Sequence, residues 1–386
     1  MGDVIQRIRT LRLLEHPDTV WVEVQTRDGD SGVGEAVLSP GALETYIHDV
    51  AAPSLLGQSP GEIEHHDRTL RGYLGYDGNG VATRGNAALN IALWDLLGRS
   101  CGQPLHVLLG GCSRAEVLAC ARFPGLPVPG PGDTGGLGAR HAEIASRYAS
   151  ILAADDISLA KFTVPAASWP AGGRVAAGAD GLGAIARILT DLRDALGGRT
   201  DVVIDCAGVL DVVTSESIGS ILGALSPVWI ENPTTSRDTA VFIDIAKRTG
   251  LAVGDGTFSG SVSQFRELLS TGSIGVVVLD LGYAGGLSAA RKMAALAEGY
   301  EVSVEPRDSG SPVLLAASLH LSAHAPNAIA QEYSVDHRDW SDIITGDIPS
   351  ARQGTFRVPD SAGLGVGLRP AAWTRPGSQV RCSEQA

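Results

Sequence analysis

Residues 201–205 read DVVID, and the same pattern, a short apolar run closed by an acid, recurs as VWIE to Glu231, LAVGD to Asp255, VVVLD to Asp280, VSVE to Glu305 and AIAQE to Glu332. From Asp205 onward the acids follow at intervals of 26, 24, 25, 25 and 27 residues. Each interval accommodates one buried strand, one amphipathic helix and two short loops, so the repeating unit is a βα pair. Such pairs in series close into a barrel whose chemistry sits at the carboxyl ends of its strands. The acids are therefore expected around one shared mouth.

The first third is patterned differently. VIQRIRTLRLLE and VWVEVQT alternate apolar and polar residues, break at the turn Asp28-Gly29-Asp30-Ser31-Gly32, and resume as GVGEAV, which predicts a small antiparallel meander over residues 3–37. From Ala82 to Arg99 the period becomes helical, with Ala87, Ile91 and Trp94 on one face. Residues 1–115 are thus expected to form an α+β domain. A strand at Val117–Arg122 then opens the barrel, and the Pro/Gly-rich residues Pro124 to Gly138 read as a loop at its end.

Composition limits the class of protein. A chain of 386 residues, 44% hydrophobic with 49 glycines, has material for a barrel of roughly 250 residues and a second domain. No apolar run reaches the roughly 18 residues of a spanning helix and MGDVIQRIRT has no signal-peptide core, so a cytoplasmic location is expected. The net charge of -13 argues against nucleic acid or an anionic membrane as partner. The five cysteines never fall in a C-x-x-C spacing, which argues against a disulfide framework or a zinc site.

A resemblance emerges from several stretches in order along the chain: GVGEA at Gly32–Ala36, AALNIALWDLLGRSCGQPLHVLLGG from Ala87 to Gly111, LAKF at Leu159–Phe162, VVID at Asp205, WIENP at Glu231, Gly254-Asp255, VLDLGYAGGLSAARKMAALAE from Val278 to Glu298, AIAQE and AGLGV. Together they resemble the mandelate racemase and muconate lactonizing enzyme branch of the enolase superfamily. The resemblance implies a modified (β/α)7β TIM barrel over residues 116–355 with an α+β N-terminal capping domain. It also implies that residues 356–386 return to that cap.

It further implies one Mg²⁺ held by carboxylates at the ends of the third, fourth and fifth barrel strands, here Asp205, Glu231 and Asp255. The chemistry is consistent: Mg²⁺ prefers oxygen ligands at about 2.0–2.1 Å and leaves positions for water and a substrate carboxylate. One departure is that relatives usually carry Glu where Asp255 stands. The metal would stabilise the enediolate formed when a proton α to a carboxylate is removed.

The proton-handling residues depart further. Lys161, in LAKF, ends the apparent second strand of a chain with three lysines, and reads either as a base of depressed pKa or as a cation paired with a ligand carboxylate or the substrate. The second lysine of the relatives' K-x-K motif is Thr163 here, and the histidine that dehydratases place two residues after the first ligand is Ala207. The histidine of the seventh strand is Arg307, too basic to shuttle a proton at neutral pH; it is expected either to pair with Asp280 or to grip an anionic substrate group. Glu332 matches the acid that hydrogen-bonds the enediolate. Glu305, two residues before Arg307, is a further candidate for that role or else an acid facing the barrel wall or paired with a neighbouring arginine, and His320 and His324 read as packing or surface residues.

The function implied is dehydration of a sugar acid or related hydroxy acid, a small-molecule carboxylate substrate. The alternatives are racemisation or epimerisation, or a divergent homologue with altered catalysis, the last motivated by the joint presence of Thr163, Ala207 and Arg307. A homo-oligomer is expected. Specificity is expected to reside in cap loops near Glu15–Thr19 and Ser39–Tyr46.

Overall fold

The computed structural model describes residues 3–72, 80–123, 137–164, 179–208, 210–212, 215–236, 238–335 and 339–385; the loop expected from Pro124 falls, up to residue 136, outside them. Strands β1 (Ile5–Leu13), β2 (His16–Thr26) and β3 (Ser31–Val37) form the expected antiparallel meander. Strands β4 (Glu116–Phe123), β5 (Leu159–Thr163), β6 (Asp201–Asp205), β7 (Trp229–Glu231), β8 (Val253–Asp255), β9 (Val276–Asp280), β10 (Ser303–Arg307) and β11 (Gln331–Ser334) lie parallel, each with its neighbour, and a helix follows each strand up to β10. The barrel is nearly closed, β10 and β11 meeting through the Val304–Ala328 bridge. The capped α/β barrel is therefore the fold. Among the described residues no helix is long and apolar enough to cross a membrane.

Four short strands complete the chain: β12 (Ile344–Gly346), β13 (Thr355–Arg357), β14 (Val366–Leu368) and β15 (Gln379–Glu384). β15 pairs antiparallel with β1, Ile8 opposite Ser383, and so adds the last residues to the N-terminal sheet.

Strand period places the site. Outward residues such as Ile204, Ile230, Val277 and Leu279 pack into the main core under the helices, while Cys120, Leu159, Val203, Trp229, Val276 and Ala330 form a separate apolar cluster inside the barrel. Because side chains alternate, residues two positions further along project into the same lumen. Those residues are Arg122, Lys161, Asp205, Glu231, Val278 and Glu332, five of the six charged. A dry floor thus underlies a ring of charges.

Two strand assignments differ from expectation. Asp205, Glu231, Asp255 and Asp280 each end a strand, but β10 continues to Arg307 and β11 to Ser334, so Glu305 and Glu332 lie within their strands rather than at the ends. Polar continuations, EPR and QEYS, still alternate and still pair in register, Arg307 beside Asp280 and Ser334 beside Arg122.

The cap joins the barrel through close contacts that select glycine and bury acids. Helix Val81–Cys101 crosses β3 so tightly that a Cβ on Gly34 would collide with the Ala88 carbonyl oxygen. Glu35, wholly buried on β3, accepts the Ser311 N–H at 2.6 Å and the Ser311 hydroxyl, at the start of helix Pro312–His324. Trp21 Nε1 donates to that same hydroxyl at 3.1 Å. Burial pushes the Glu35 carboxyl up to about 7 against the pull of the Ser311 donors, with nearby Asp280 adding repulsion.

Gly34→Ala is expected to destabilise the protein by about 1–3 kcal/mol, read from urea unfolding, because the helix must be pushed off the sheet. Gly198→Ala, with nothing within 4 Å of its new Cβ, is the control. For Glu35 the folded pKa is raised from an ordinary 4.5 to about 7, so its contribution is full below 4.5 and is lost as pH rises through about 7. That loss is about 3 kcal/mol. Glu35→Gln should flatten this part of the stability profile, leaving the share of Asp308, which burial also raises; an unchanged profile would exclude Glu35 as its source.

Candidate active site

Lys161 enters the lumen from β5 and is completely buried, as are Glu231, Glu305 and Glu332. Its ammonium meets one oxygen of each: Glu305 Oε2 at 2.5 Å, Glu332 Oε2 at 2.7 Å, and Glu231 Oε2. The ammonium donates hydrogen bonds to Glu305 and Glu332, and its contact with Glu231 is an ion pair. Burial alone would depress the Lys161 pKa, but the three anions reverse this and raise it well above the ordinary lysine value. The depressed pKa considered from the sequence is therefore replaced by its opposite. The alternative of a lysine paired with a ligand carboxylate describes the arrangement found.

Two guanidiniums close the cluster from the mouth side. Arg122 Nε lies 2.8 Å from Glu332 Oε1, and Arg307 Nε lies 3.4 Å from the same oxygen while its Nη1 lies 3.7 Å from Glu231 Oε1. Burial favours the neutral acid and would raise the Glu332 pKa, yet Lys161, Arg307 and Arg122 together bring it down to about 2. These cations favour the carboxylate over the neutral acid. Arg307 pairs with Glu231 and Glu332 rather than directly with Asp280, whose Oδ1 accepts the Gly282 N–H at 2.9 Å. Burial raises the Asp280 pKa, and Arg307 opposes that.

The three acids grouped from the sequence are not held alike. Asp205 and Glu231 are register partners on adjacent strands, and Asn232 Nδ2 spans them, 3.3 Å from Asp205 Oδ1 and 3.0 Å from Glu231 Oε1. Thr163 Oγ1 lies 3.5 Å from Asp205 Oδ2. Asp255 lies on the next strand, accepts the Gly256 N–H at 2.5 Å and lines a cavity of about 230 Å³ with Thr234, Ser236, Phe258 and Ser259. Among the described residues, the acids whose ligand atoms all fall within 4.8 Å of one another are instead Glu231, Glu305 and Glu332, around the Lys161 ammonium. Burial first, then crowding by Asp205, Glu332 and Glu305, raises the Glu231 pKa against Lys161.

A larger cavity, about 710 Å³, opens beside Arg122 and is lined by Asp308, Ser309, Ser311, Tyr333 and Trp340 among others. Trp340 stacks on His16 of the cap, ring centroids 4.3 Å apart. His320 and His324 lie elsewhere: His320 is buried against His106 and Leu364, and burial lowers its pKa to about 3.

Arg122, Asn232 and the central place of Glu305 were not singled out from the sequence. Arg122 had a signal, since the alternation that turns Cys120 inward also turns Arg122 inward. Asn232 had one too, an asparagine after a strand end, and it takes the left-handed conformation that asparagine tolerates, with φ of 44°.

A lumen lined by acids and guanidiniums beneath a cap is the candidate site of a capped α/β barrel. The matches to known proteins say which kind. Residues 11–110 match the mandelate racemase/muconate lactonizing enzyme N-terminal domain, and residues 168–372 match the enolase C-terminal domain-like family. The chain belongs to the enolase superfamily, in its mandelate racemase and muconate lactonizing branch. It is 27% identical over 333 residues to a D-galactonate dehydratase of Pectobacterium atrosepticum, covering 86% of this chain and 81% of the relative. To the D-galactonate dehydratase of Xanthomonas euvesicatoria it is 26% identical over 358 residues, covering 91% and 88%. The crystal structure of an Agrobacterium tumefaciens enolase of the mandelate racemase subgroup is 31% identical, covers 99% of both chains and superposes with a TM-score of 0.87. That of an enolase protein from Sargasso Sea environmental sequence is 30% identical, covers 100% of both and gives 0.86.

Members of this superfamily use Mg²⁺, and the residues at the mouth fit it. Asp205 and Glu231 offer hard carboxylate oxygens from neighbouring strands, and the buried Asn232 Oδ1 beside them has no hydrogen-bond partner.

Lys161→Met should cost about 3–5 kcal/mol at pH 7, because it removes the cation shared by three buried carboxylates and leaves Glu305 without an ion-pair partner among the described residues. The deficit should shrink as pH falls and those carboxyls take up protons, read by urea unfolding at pH 7 and pH 4.5. A variant as stable as the parent at pH 7 would refute the ion-pair description.

Proposed function

We propose that the protein removes a proton α to the carboxylate of a sugar acid or related hydroxy acid with the help of Mg²⁺, and that loss of water follows. The observation that carries this reading is the pairing of Asp205 and Glu231 on adjacent strand ends, joined by Asn232, in a chain related over most of its length to galactonate dehydratases. Asp205 and Glu231 would hold the ion, with Asp255 as third ligand. Mg²⁺ would supply the Lewis acidity that stabilises developing enediolate charge.

The chain's own residues take the following parts. Arg307, with only 17% of its side chain exposed, presents a guanidinium at the rim suited to a bidentate grip on the substrate carboxylate, and Arg122 lines the larger cavity beside it. Lys161 and Glu332 stay charged and set the field on the enediolate. The proton acceptor lies between two candidates. Lys161 would have to give up one of three ion pairs, whereas Asp280 has a raised pKa and no direct ion pair among the described residues. A second reading, a member with altered catalysis, is favoured by that triply ion-paired lysine together with Thr163, Ala207 and Arg307.

Incubation with an acid-sugar library and Mg²⁺ in D₂O should give α-deuterium uptake or keto-acid, with at least about a hundredfold loss in whichever of Asp280→Asn and Lys161→Ala removes the base. Exchange that survives both variants would remove both residues from the role, and no turnover of any library member would favour the second reading. Calorimetric titration of Mg²⁺ into Asp205→Ala should show weakened binding; unchanged affinity would refute the ligand assignment.

A further inference from the structure

Glu231 is claimed from two sides. One oxygen meets the Lys161 ammonium, and the same carboxylate, beside Asp205, is the one read above as a metal ligand. A divalent ion there and the ammonium are like charges competing for one carboxylate, and they repel across a buried, weakly screened space. Whether the site takes a metal therefore depends on which other carboxylates take up part of the ammonium's charge.

Two carboxylates can do so, and they are not equivalent. Glu332 is shared, since its other oxygen serves Arg122 and Arg307. Glu305 is the member of the trio whose ion pair, among the described residues, is with Lys161 alone, at 2.5 Å. It is fully buried and sits in mid-strand, with β9 on one side and the β11 approach on the other, so its carboxylate cannot move out to the mouth. It lies one inward step below Arg307 and next to the apolar floor, where Cys120 is also placed. An acid in that dry position would be costly without a cation, and the cation present is Lys161.

We propose that Glu305 is a positioning residue for the metal site: by sharing the Lys161 ammonium with Glu231, it weakens the ammonium's hold on Glu231 and lets that carboxylate share its charge with a divalent ion. This rests on the reading of Asp205 and Glu231 as metal ligands. The ligands in that reading are Asp205 and Glu231, not Glu305. Its effect passes through Lys161, so removing Glu305 and removing Lys161 act in opposite directions. Without Glu305 the ammonium falls to Glu231 and Glu332 and resists the metal; without Lys161 the metal gains undivided carboxylates.

The test is Mn²⁺ binding to the purified full chain by calorimetry, with free Mn²⁺ counted by electron paramagnetic resonance, on parent, Glu305→Gln, Glu305→Asp, Lys161→Met and the double variant. Glu305→Gln should raise Kd about tenfold, the scale of one altered buried charge neighbour. Glu305→Asp should restore part of the loss, and Lys161→Met should lower Kd. In the Lys161→Met background Glu305→Gln should have a smaller effect than in the parent, which is the signature of coupling between the two side chains. A purely structural role for Glu305 would lower the fraction of folded, binding-competent protein without this pattern in Kd. Should Lys161→Met fail to fold, Glu305→Gln and Glu305→Asp decide alone. Parent binding that is abolished in Glu231→Gln but unchanged within about twofold in Glu305→Gln overturns this proposal and leaves the metal reading intact. Absence of Mn²⁺ binding to the parent overturns the metal reading, and this inference with it.

Discussion

One ammonium, Lys161, holds three carboxylates together in the middle of the barrel, and the rest of the site is arranged around that contact. Four acids, Asp205, Glu231, Glu305 and Glu332, project into a lumen floored by apolar side chains, where unpaired charges are expensive. Lys161 neutralises them from below, and Arg122 and Arg307 from above. Because three buried carboxylates surround the ammonium and raise its pKa, the lysine behaves as a fixed charge. Proton chemistry, where it occurs, has to draw on a group less firmly held.

The floor and the charges come from the same alternation. Leu159, Val203, Trp229 and Ala330 precede Lys161, Asp205, Glu231 and Glu332 by two residues, so one periodicity builds both a dry base and a polar rim. The cap completes the enclosure through contacts that also bury polar groups: Glu35 against Ser311, and His16 stacked on Trp340 at the edge of the larger cavity. The loop bearing Ser311 follows directly from Arg307, so the domain contact and the rim guanidinium share one short segment.

Several particular residues show how far the sequence could be read. Asp205, Glu231, Asp255 and Asp280 end strands as their even spacing predicts, because a βα repeat has a nearly constant length. Glu305 and Glu332 do not, since polar residues after an acid can continue a strand as long as backbone pairing continues. Arg307 is beside Asp280 in register, which made that pair the natural expectation, yet its guanidinium turns across the lumen to Glu231 and Glu332. A long side chain inside a barrel reaches residues on non-adjacent strands, and strand register carries no information about that choice.

The sequence by itself determined the repeat, the family and the positions of the acids and of Lys161, because each of these is local: a period, a motif or a residue identity. Tertiary structure decided which charges meet. It made Lys161 the partner of Glu231, Glu305 and Glu332, left Asp255 facing a separate cavity, and recruited Arg122 and Asn232. The physical reason is that these contacts join strands far apart in the chain across a low-dielectric lumen, where the energy depends on distances among several charges at once.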